Sequence, residues 1–228
     1  MDLRICTGCG AWLDPVRVEP SDPVLVCADC GRRQPFRRLP LFALTGPSGA
    51  GKSTVCRLLT ARLDGAIVVL EQDVLWTGGL TDPADDFRLF RATWLRMAGM
   101  INQSGRPVLL CGTVVPVQFE RCAERGFVGD IHYLALVCEP GVLRERLRAR
   151  PAWRGWDAER IEETVRFNGW IRAGHAGGAV DLLDTTDLEP ARTTDAVASW
   201  VRRGLEQHGL APRGSASPPD PGVGCVAD

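Results

Sequence analysis

Three groups of residues have the types and spacings that chemistry requires. The first is Gly46-Pro47-Ser48-Gly49-Ala50-Gly51-Lys52-Ser53-Thr54, which fits the pattern GxxxxGK[ST] of a phosphate-binding loop. Glycines let the backbone curl round a phosphate with its N–H groups turned inward. A helix that starts at the end of the loop aims its positive pole at the same anion. Lys52 would then reach the β- and γ-phosphates, and the Ser53 hydroxyl would stand where Mg²⁺ is held. The chain has 27 lysines and arginines together, and Lys52 is the lone lysine among them. A compact ammonium fits among phosphate oxygens inside a tight loop, where a broad planar guanidinium does not.

The second group is a pair of knuckles, Cys6-Thr7-Gly8-Cys9-Gly10 and Cys27-Ala28-Asp29-Cys30-Gly31. In each, the two-residue gap lets both thiolates face one ion, and the glycine after the second cysteine permits the turn that points backbone N–H groups at sulfur. Cys6, Cys9, Cys27 and Cys30 therefore read as the ligands of a zinc ribbon. Val16, Val18, Val24, Leu25 and Val26, set among prolines, suit a short hairpin that brings the knuckles together. Four thiolates fill a tetrahedral site and leave no place for a reacting water, so two roles stay open. One is a structural clip; the other is a contact module for a protein or nucleic-acid partner, with Arg32, Arg33, Arg37 and Arg38 near phosphates. Cys56, Cys111 and Cys138 fall within or beside apolar stretches and behave as small hydrophobes.

The third group combines carboxylates with arginines. The apolar run Gly65–Leu70 reads as a strand ending in Glu71-Gln72-Asp73, and if the strand geometry persists both carboxylates project to one side. Ligands of open parallel sheets sit at the carboxyl ends of strands, which makes Glu71 and Asp73 candidates for magnesium and substrate; an ordinary acidic turn is the alternative. Further on, Arg144, Arg146, Arg148, Arg150 and Arg154 gather around Pro151-Ala152-Trp153-Arg154-Gly155-Trp156. Arginines on a movable segment suit closure over a triphosphate and neutralisation of the transferring phosphoryl group.

The elements that must position these residues alternate. Leu41–Leu44 is a strand leading into the loop, and Ser53–Leu63 is the helix leaving it. A second helix is expected from Asp82-Pro83 to about Gln103, with Phe87, Phe90, Trp94, Met97 and Ile101 on its packed face and Arg88 and Arg91 beside them. Strands follow at Pro107–Thr113, Ile131–Val137 and Ala179–Asp184, with helices opening at Pro116, Glu139-Pro140, Asp157 and Pro190. Asn168 and His175 have no assigned duty. This divides the chain into a zinc ribbon with a basic linker over 1–38, an α/β body over 39–208 and a disordered tail over 209–228. The net charge of −1 gives no global attraction to nucleic acid or an anionic membrane. No apolar run is long enough to span a bilayer and the N-terminus has no secretion-signal core, so a cytoplasmic protein is expected.

GPSGAGKST after the first strand, ExD after the second, the arginine-rich LRERLRARPAWR after the fourth and VDLLDTT as the fifth resemble the P-loop kinases of nucleosides, nucleotides and small metabolites. Adenylate, shikimate and gluconate kinases are familiar members, and the resemblance covers 39–208. It implies a three-layer α/β fold with a five-stranded parallel sheet in the order 2-3-1-4-5, and an arginine-bearing lid after strand four. It also implies ATP or GTP and Mg²⁺ as cofactors, with a small-molecule hydroxyl or phosphate as acceptor. By the same resemblance Gly46, Gly51, Lys52, Ser53 and Thr54 take the nucleotide and Mg²⁺ roles. Asp73 matches the carboxylate that accepts a substrate proton, and Arg144, Arg148, Arg150 and Arg154 match lid arginines. Several relatives place aspartate near the end of strand three, before glycine; this chain has Cys111-Gly112 there. A thiol supplies no hard oxygen to magnesium, so that duty passes to Glu71 or Asp73. Two alternatives remain: a nucleotide-dependent regulatory module whose ribbon holds a partner, and a kinase acting on nucleic-acid ends.

Overall fold

The computed structural model describes residues 3–13, 18, 23–63, 65–177 and 180–210. Val16, Ala179, Cys225 and the expected tail from 211 onward lie outside the described residues. The body is a parallel sheet in the order β4-β5-β3-β6-β7, built from β3 (Leu41–Thr45), β4 (Val68–Glu71), β5 (Val108–Cys111), β6 (Ile131–Val137) and β7 (Val180–Asp184). Counted from β3, this is the expected order 2-3-1-4-5, and every pairing is parallel.

The central strand shows why the sheet must be covered on both sides. All of Leu41–Thr45 is buried, and successive side chains feed opposite faces. Phe42 and Leu44 join Leu59 of α1 (Lys52–Leu63) with Val197 and Val201 of α6 (Pro190–Gln207). Leu41 and Ala43 join Trp94 and Leu95 of α2 (Arg88–Asn102) with Phe119 of α3 (Pro116–Glu120). Helices α4 (Pro140–Arg148) and α5 (Ala158–Arg172) close on each other through Leu143, Leu147, Ile161 and Val165. Asn168, fully buried, ties this pair to the sheet by bonding both the N–H (3.2 Å) and the carbonyl (2.8 Å) of Cys138.

The helix expected from Asp82 to Gln103 is broken in two. Asp82 caps a single 3-10 turn, Pro83–Asp85; Asp86 and Phe87 then take left-handed backbone angles, and α2 starts afresh at Arg88. The break persists because the Asp85 carboxylate accepts the Arg88 and Leu89 N–H groups and so caps the new helix. Arg91 is buried against the break, donating to the Asp86 backbone carbonyl and carboxylate.

The ribbon keeps part of the expected hairpin, an antiparallel Val18–Leu25 bridge between the knuckles, and adds a second hairpin. Strands β1 (Val24–Val26) and β2 (Arg33–Pro35) pair antiparallel, so the second knuckle is itself the hairpin turn, while an Ile5–Trp12 bridge closes the first. Its small core of Leu3, Leu13, Leu25 and Phe36 includes Phe127 of the body, with Phe36 and Phe127 edge to face at 6.4 Å. Arg4 pairs with Glu124 at 3.9 Å. The basic linker is docked as well: Gln103 bonds the Arg37 N–H and carbonyl, both at 2.9 Å, and Arg38 donates to the Val128 carbonyl at 2.9 Å.

One glycine governs how β4 hands over to the site. Gln72 is buried against Gly112, where an added Cβ would lie 1.8 Å from the Gln72 side-chain oxygen. Gly112→Ala is therefore expected to destabilise the fold by about 1–3 kcal/mol, as overpacking of a filled interior does. A denaturant midpoint equal to wild type would show that Gln72 has room to move.

Candidate active site

The loop from Gly46 to Gly51 curls as its glycines permit. Gly46 has φ +126, and a Cβ there would meet the Leu136 carbonyl at 2.2 Å; Gly51 has φ +99 just before α1 begins. Both positions exclude a side chain, by contact in one case and by backbone angle in the other. Thr113 donates to the Gly46 carbonyl at 3.2 Å, and Thr45 Oγ1 bridges the Val114 carbonyl and N–H at 2.6 and 3.0 Å. These bonds fasten the loop to the segment after β5. Lys52 is folded under the loop, its Nζ donating to the Gly46 (2.7 Å) and Pro47 (2.9 Å) carbonyls. Burial lowers Lys52 to about 8, with Asp73 and Glu71 among the groups that act in the opposite direction.

The two carboxylates converge by a route the sequence reading did not anticipate. Strand β4 ends at Glu71 and Gln72–Leu75 is a 3-10 turn, so the extended geometry does not reach Asp73. The turn nevertheless brings both to one small cavity of about 140 Å³ with Lys52, Ser53 and Thr54. Ser53 Oγ donates directly to a Glu71 carboxylate oxygen. Cys111, the register partner of Glu71, is held protonated by its hydrogen bond to Cys56 and by burial. A neutral thiol there is no magnesium ligand, whereas Ser53 and Glu71 together offer hard oxygens.

Of the arginines, two reach the site and two do not. Arg150 and Arg154 line the same cavity as Lys52. Burial lowers Arg150, as do the neighbouring cations Arg154 and Arg160, while Asp73 acts against them. Arg144 instead makes a two-pronged contact with Glu162 at 2.7 and 2.8 Å, and Arg148 is exposed on α4 outside the cavities described here. The reason is helical: Arg144 and Arg148, each one position on from Leu143 and Leu147, stand about 100° round α4 from that buried stripe, while Arg150 lies past the helix end.

Larger cavities flank the phosphate-sized one. Towards β7 a space of about 290 Å³ is lined by Gly49, Thr54, Arg146, Thr185, Leu188 and Thr193. Arg146 shapes it by donating to the Thr185 carbonyl at 2.8 Å. Towards β4 a space of about 600 Å³ is lined by Asp73, Trp76, Phe90, Trp153, Trp156 and Arg160. Arg150 borders all three. Nothing in the sequence assigns Thr113, Trp76 or Arg160 to the site, and Phe90, expected on the packed face of a helix, is buried there and also borders the cavity; an aromatic at helical or turn spacing carries no local mark that separates a cavity wall from core.

At the N-terminus the four knuckle sulfurs lie within 4.8 Å of one another, with Cys6–Cys30 at 3.6 Å and Cys9–Cys27 at 3.7 Å. A tetrahedral zinc with Zn–S bonds of about 2.3 Å requires sulfurs about 3.8 Å apart, so the donor set fits that ion. Gly10 and Gly31 take left-handed angles (φ 75 and 71), and the Gly8 N–H points at Cys6 Sγ at 3.3 Å. Backbone N–H groups of Cys9 and Gly8 lower the Cys6 thiol to about 6.

The sheet order, the loop and the helix that leaves it define a P-loop nucleotide-binding protein of kinase-like fold. Residues 43–165 match the AAA domain family, and the chain belongs to that family. Among solved structures, a sugar kinase from Janibacter sp. is similar at TM-score 0.51 and 14% identity, over 78% of this chain and 97% of that one. A protein provisionally described as a kinase from Chloroflexus aurantiacus is similar at TM-score 0.51 and 22% identity, over 75% of this chain and 98% of that one. At such identities the likeness is one of fold. No curated protein matches the sequence. Among the described residues, no helix is long and apolar enough to cross a membrane.

Proposed function

We propose that the protein is a kinase that moves the γ-phosphoryl group of ATP to a small-molecule hydroxyl or phosphate oxygen. The observation that carries this reading is the position of Asp73, which borders both the cavity around Lys52 and the larger cavity beyond it. A base at that junction can touch an acceptor and a terminal phosphate together. The base and ribose of the nucleotide then occupy the space towards β7, and its triphosphate runs along the loop to Lys52. In the transfer, the acceptor oxygen attacks the γ-phosphorus while Asp73 takes its proton, and the bond to the β-phosphate oxygen breaks to release ADP. Lys52, Arg150 and Arg154 hold the negative charge that is spread over the transferring oxygens. Mg²⁺, when bound at Ser53 and Glu71, supplies further neutralisation of the β- and γ-phosphates. Transfer of labelled γ-phosphate from ATP to an acceptor, lost in Lys52→Ala, tests the reading. ATP hydrolysis without any phosphorylated product would favour a nucleotide-driven binding module instead.

In this reading residues 1–38 are a zinc-clipped support for the catalytic body over 39–208. The shared packing of Phe36 on Phe127, and of Leu3 beside Gly99 of α2, favours a clip over a free contact module. One zinc per chain is expected by elemental analysis of protein purified without chelator, and none in the Cys6→Ser, Cys9→Ser double variant. Protein that is metal-free yet equally stable would refute the ribbon.

A further inference from the structure

The cavity on the Asp73 side has walls unlike those of the phosphate cavity. Trp76 and Phe90 form one wall, edge to face at 5.3 Å, and Trp153 and Trp156 of the segment between α4 and α5 form the other. Trp76 and Trp153 are 56% and 78% exposed, and Trp153 shows more of its surface than any other large apolar side chain among the described residues. Neither is needed to close the core. Both line the cavity.

The polar groups are as informative. Apart from the indole N–H donors of its tryptophans, Ser48, Gln72 and Thr113 are the cavity's uncharged hydrogen-bonding side chains. Gln72 is buried against Gly112, and Thr113 is already bonded to the Gly46 carbonyl, so both stand on the loop side. The far end has guanidinium groups instead. Arg160 lies over Trp156 at 4.2 Å and donates to the Arg154 carbonyl at 3.0 Å, and Arg154 lies over Trp153 at 4.8 Å. Among the described residues none of Arg150, Arg154 and Arg160 has a carboxylate ion-pair partner, and Asp73 is the cavity's single acid.

Resting on the kinase reading, we propose that the acceptor is a compound with a planar aromatic or heteroaromatic ring, neutral or anionic, that carries the phosphorylated oxygen on or near that ring. A flat ring can lie between the two tryptophan walls with its faces satisfied by stacking. A sugar or sugar acid has no flat face to set against these rings, and its O–H groups would meet a far end whose guanidinium and indole side chains only donate, so those hydroxyl donors would go unpaired. A polyamine or aminoglycoside would place its cations against three unpaired guanidinium groups. The ring belongs here and not towards β7 because Asp73, the candidate base, borders this cavity and not the other.

The test uses full-length protein with ATP and Mg²⁺ against nucleosides and nucleoside monophosphates, a hydroxylated benzoate, hexoses, gluconate and an aminoglycoside. Phosphorylation is read by product formation and binding by calorimetry. Ring compounds are expected to be the acceptors. Trp76→Ala and Trp153→Ala should each raise the acceptor KM about tenfold, with the KM for ATP unchanged. The proposal is overturned if a hexose, gluconate or the aminoglycoside is the best acceptor. It is also overturned if the tryptophan variants raise the KM for ATP instead, which would put the adenine in this cavity, or if no ring compound binds. Lys52→Ala separates the two levels: ring compounds that bind it and wild type alike, without turnover in either, would leave this inference standing and remove the kinase reading.

Discussion

Lys52→Ala is expected to reduce phosphoryl transfer by at least on the order of 10²–10³ in kcat, the scale seen when a preorganised group facing developing charge is removed. The structure says why the loss should fall on chemistry and not on folding. Among the described residues, Lys52 Nζ donates only to the Gly46 and Pro47 carbonyls, both within the loop, and Lys52 belongs to neither apolar cluster around β3. Thermal unfolding and circular dichroism should match wild type, and Lys52→Arg should not rescue, because a guanidinium is too broad for the loop. Wild-type turnover in Lys52→Ala would remove the kinase assignment altogether.

Asp73→Asn should also lower kcat, on the order of 10²–10⁴ for loss of a general base, with nucleotide affinity nearly unchanged. The comparison that gives this result meaning is Glu71→Gln. Glu71 accepts from Ser53 and faces the phosphate cavity alone, whereas Asp73 borders the acceptor cavity as well. Glu71→Gln should therefore weaken the response to magnesium, with activity recovering at high ion concentration, and Asp73→Asn should not recover. If the magnesium response instead belongs to Asp73, the two duties are exchanged. If neither variant changes turnover, the pair is an acidic turn and the proposed mechanism fails.

The loop and the strands were legible because both depend on signals a few residues long, whereas the order of the strands in the sheet followed from the resemblance to P-loop kinases. Gly46, Gly51 and Lys52 stand at fixed spacing for reasons of backbone angle and ammonium size, and each apolar run of the sheet is bounded by its own turn. The knuckle glycines belong to the same class, since Gly10 and Gly31 sit at left-handed positions that a short turn demands. The break at Asp86 and Phe87 was hidden because the spacing of Phe87, Phe90 and Trp94 is satisfied by a continuous helix. Only the Asp85 cap and the buried Arg91 favour two pieces.

The arginines mark the boundary between the two kinds of information. Composition and spacing by themselves determined that a basic segment follows the fourth strand of a P-loop body, because charge and helix breakers are properties of residues. Which arginines meet the site was decided by the tertiary structure. The burial of Leu143 and Leu147 sets the rotation of α4, turns Arg144 towards Glu162 and leaves Arg148 in solvent. Arg150 and Arg154, beyond the helix end, fall instead over Lys52. Likewise Glu71 and Asp73 share a cavity through a 3-10 turn that follows the strand, a convergence no two-residue spacing encodes. A side chain's identity is local, but the direction it faces depends on what its element must bury, and that is fixed only when the elements pack.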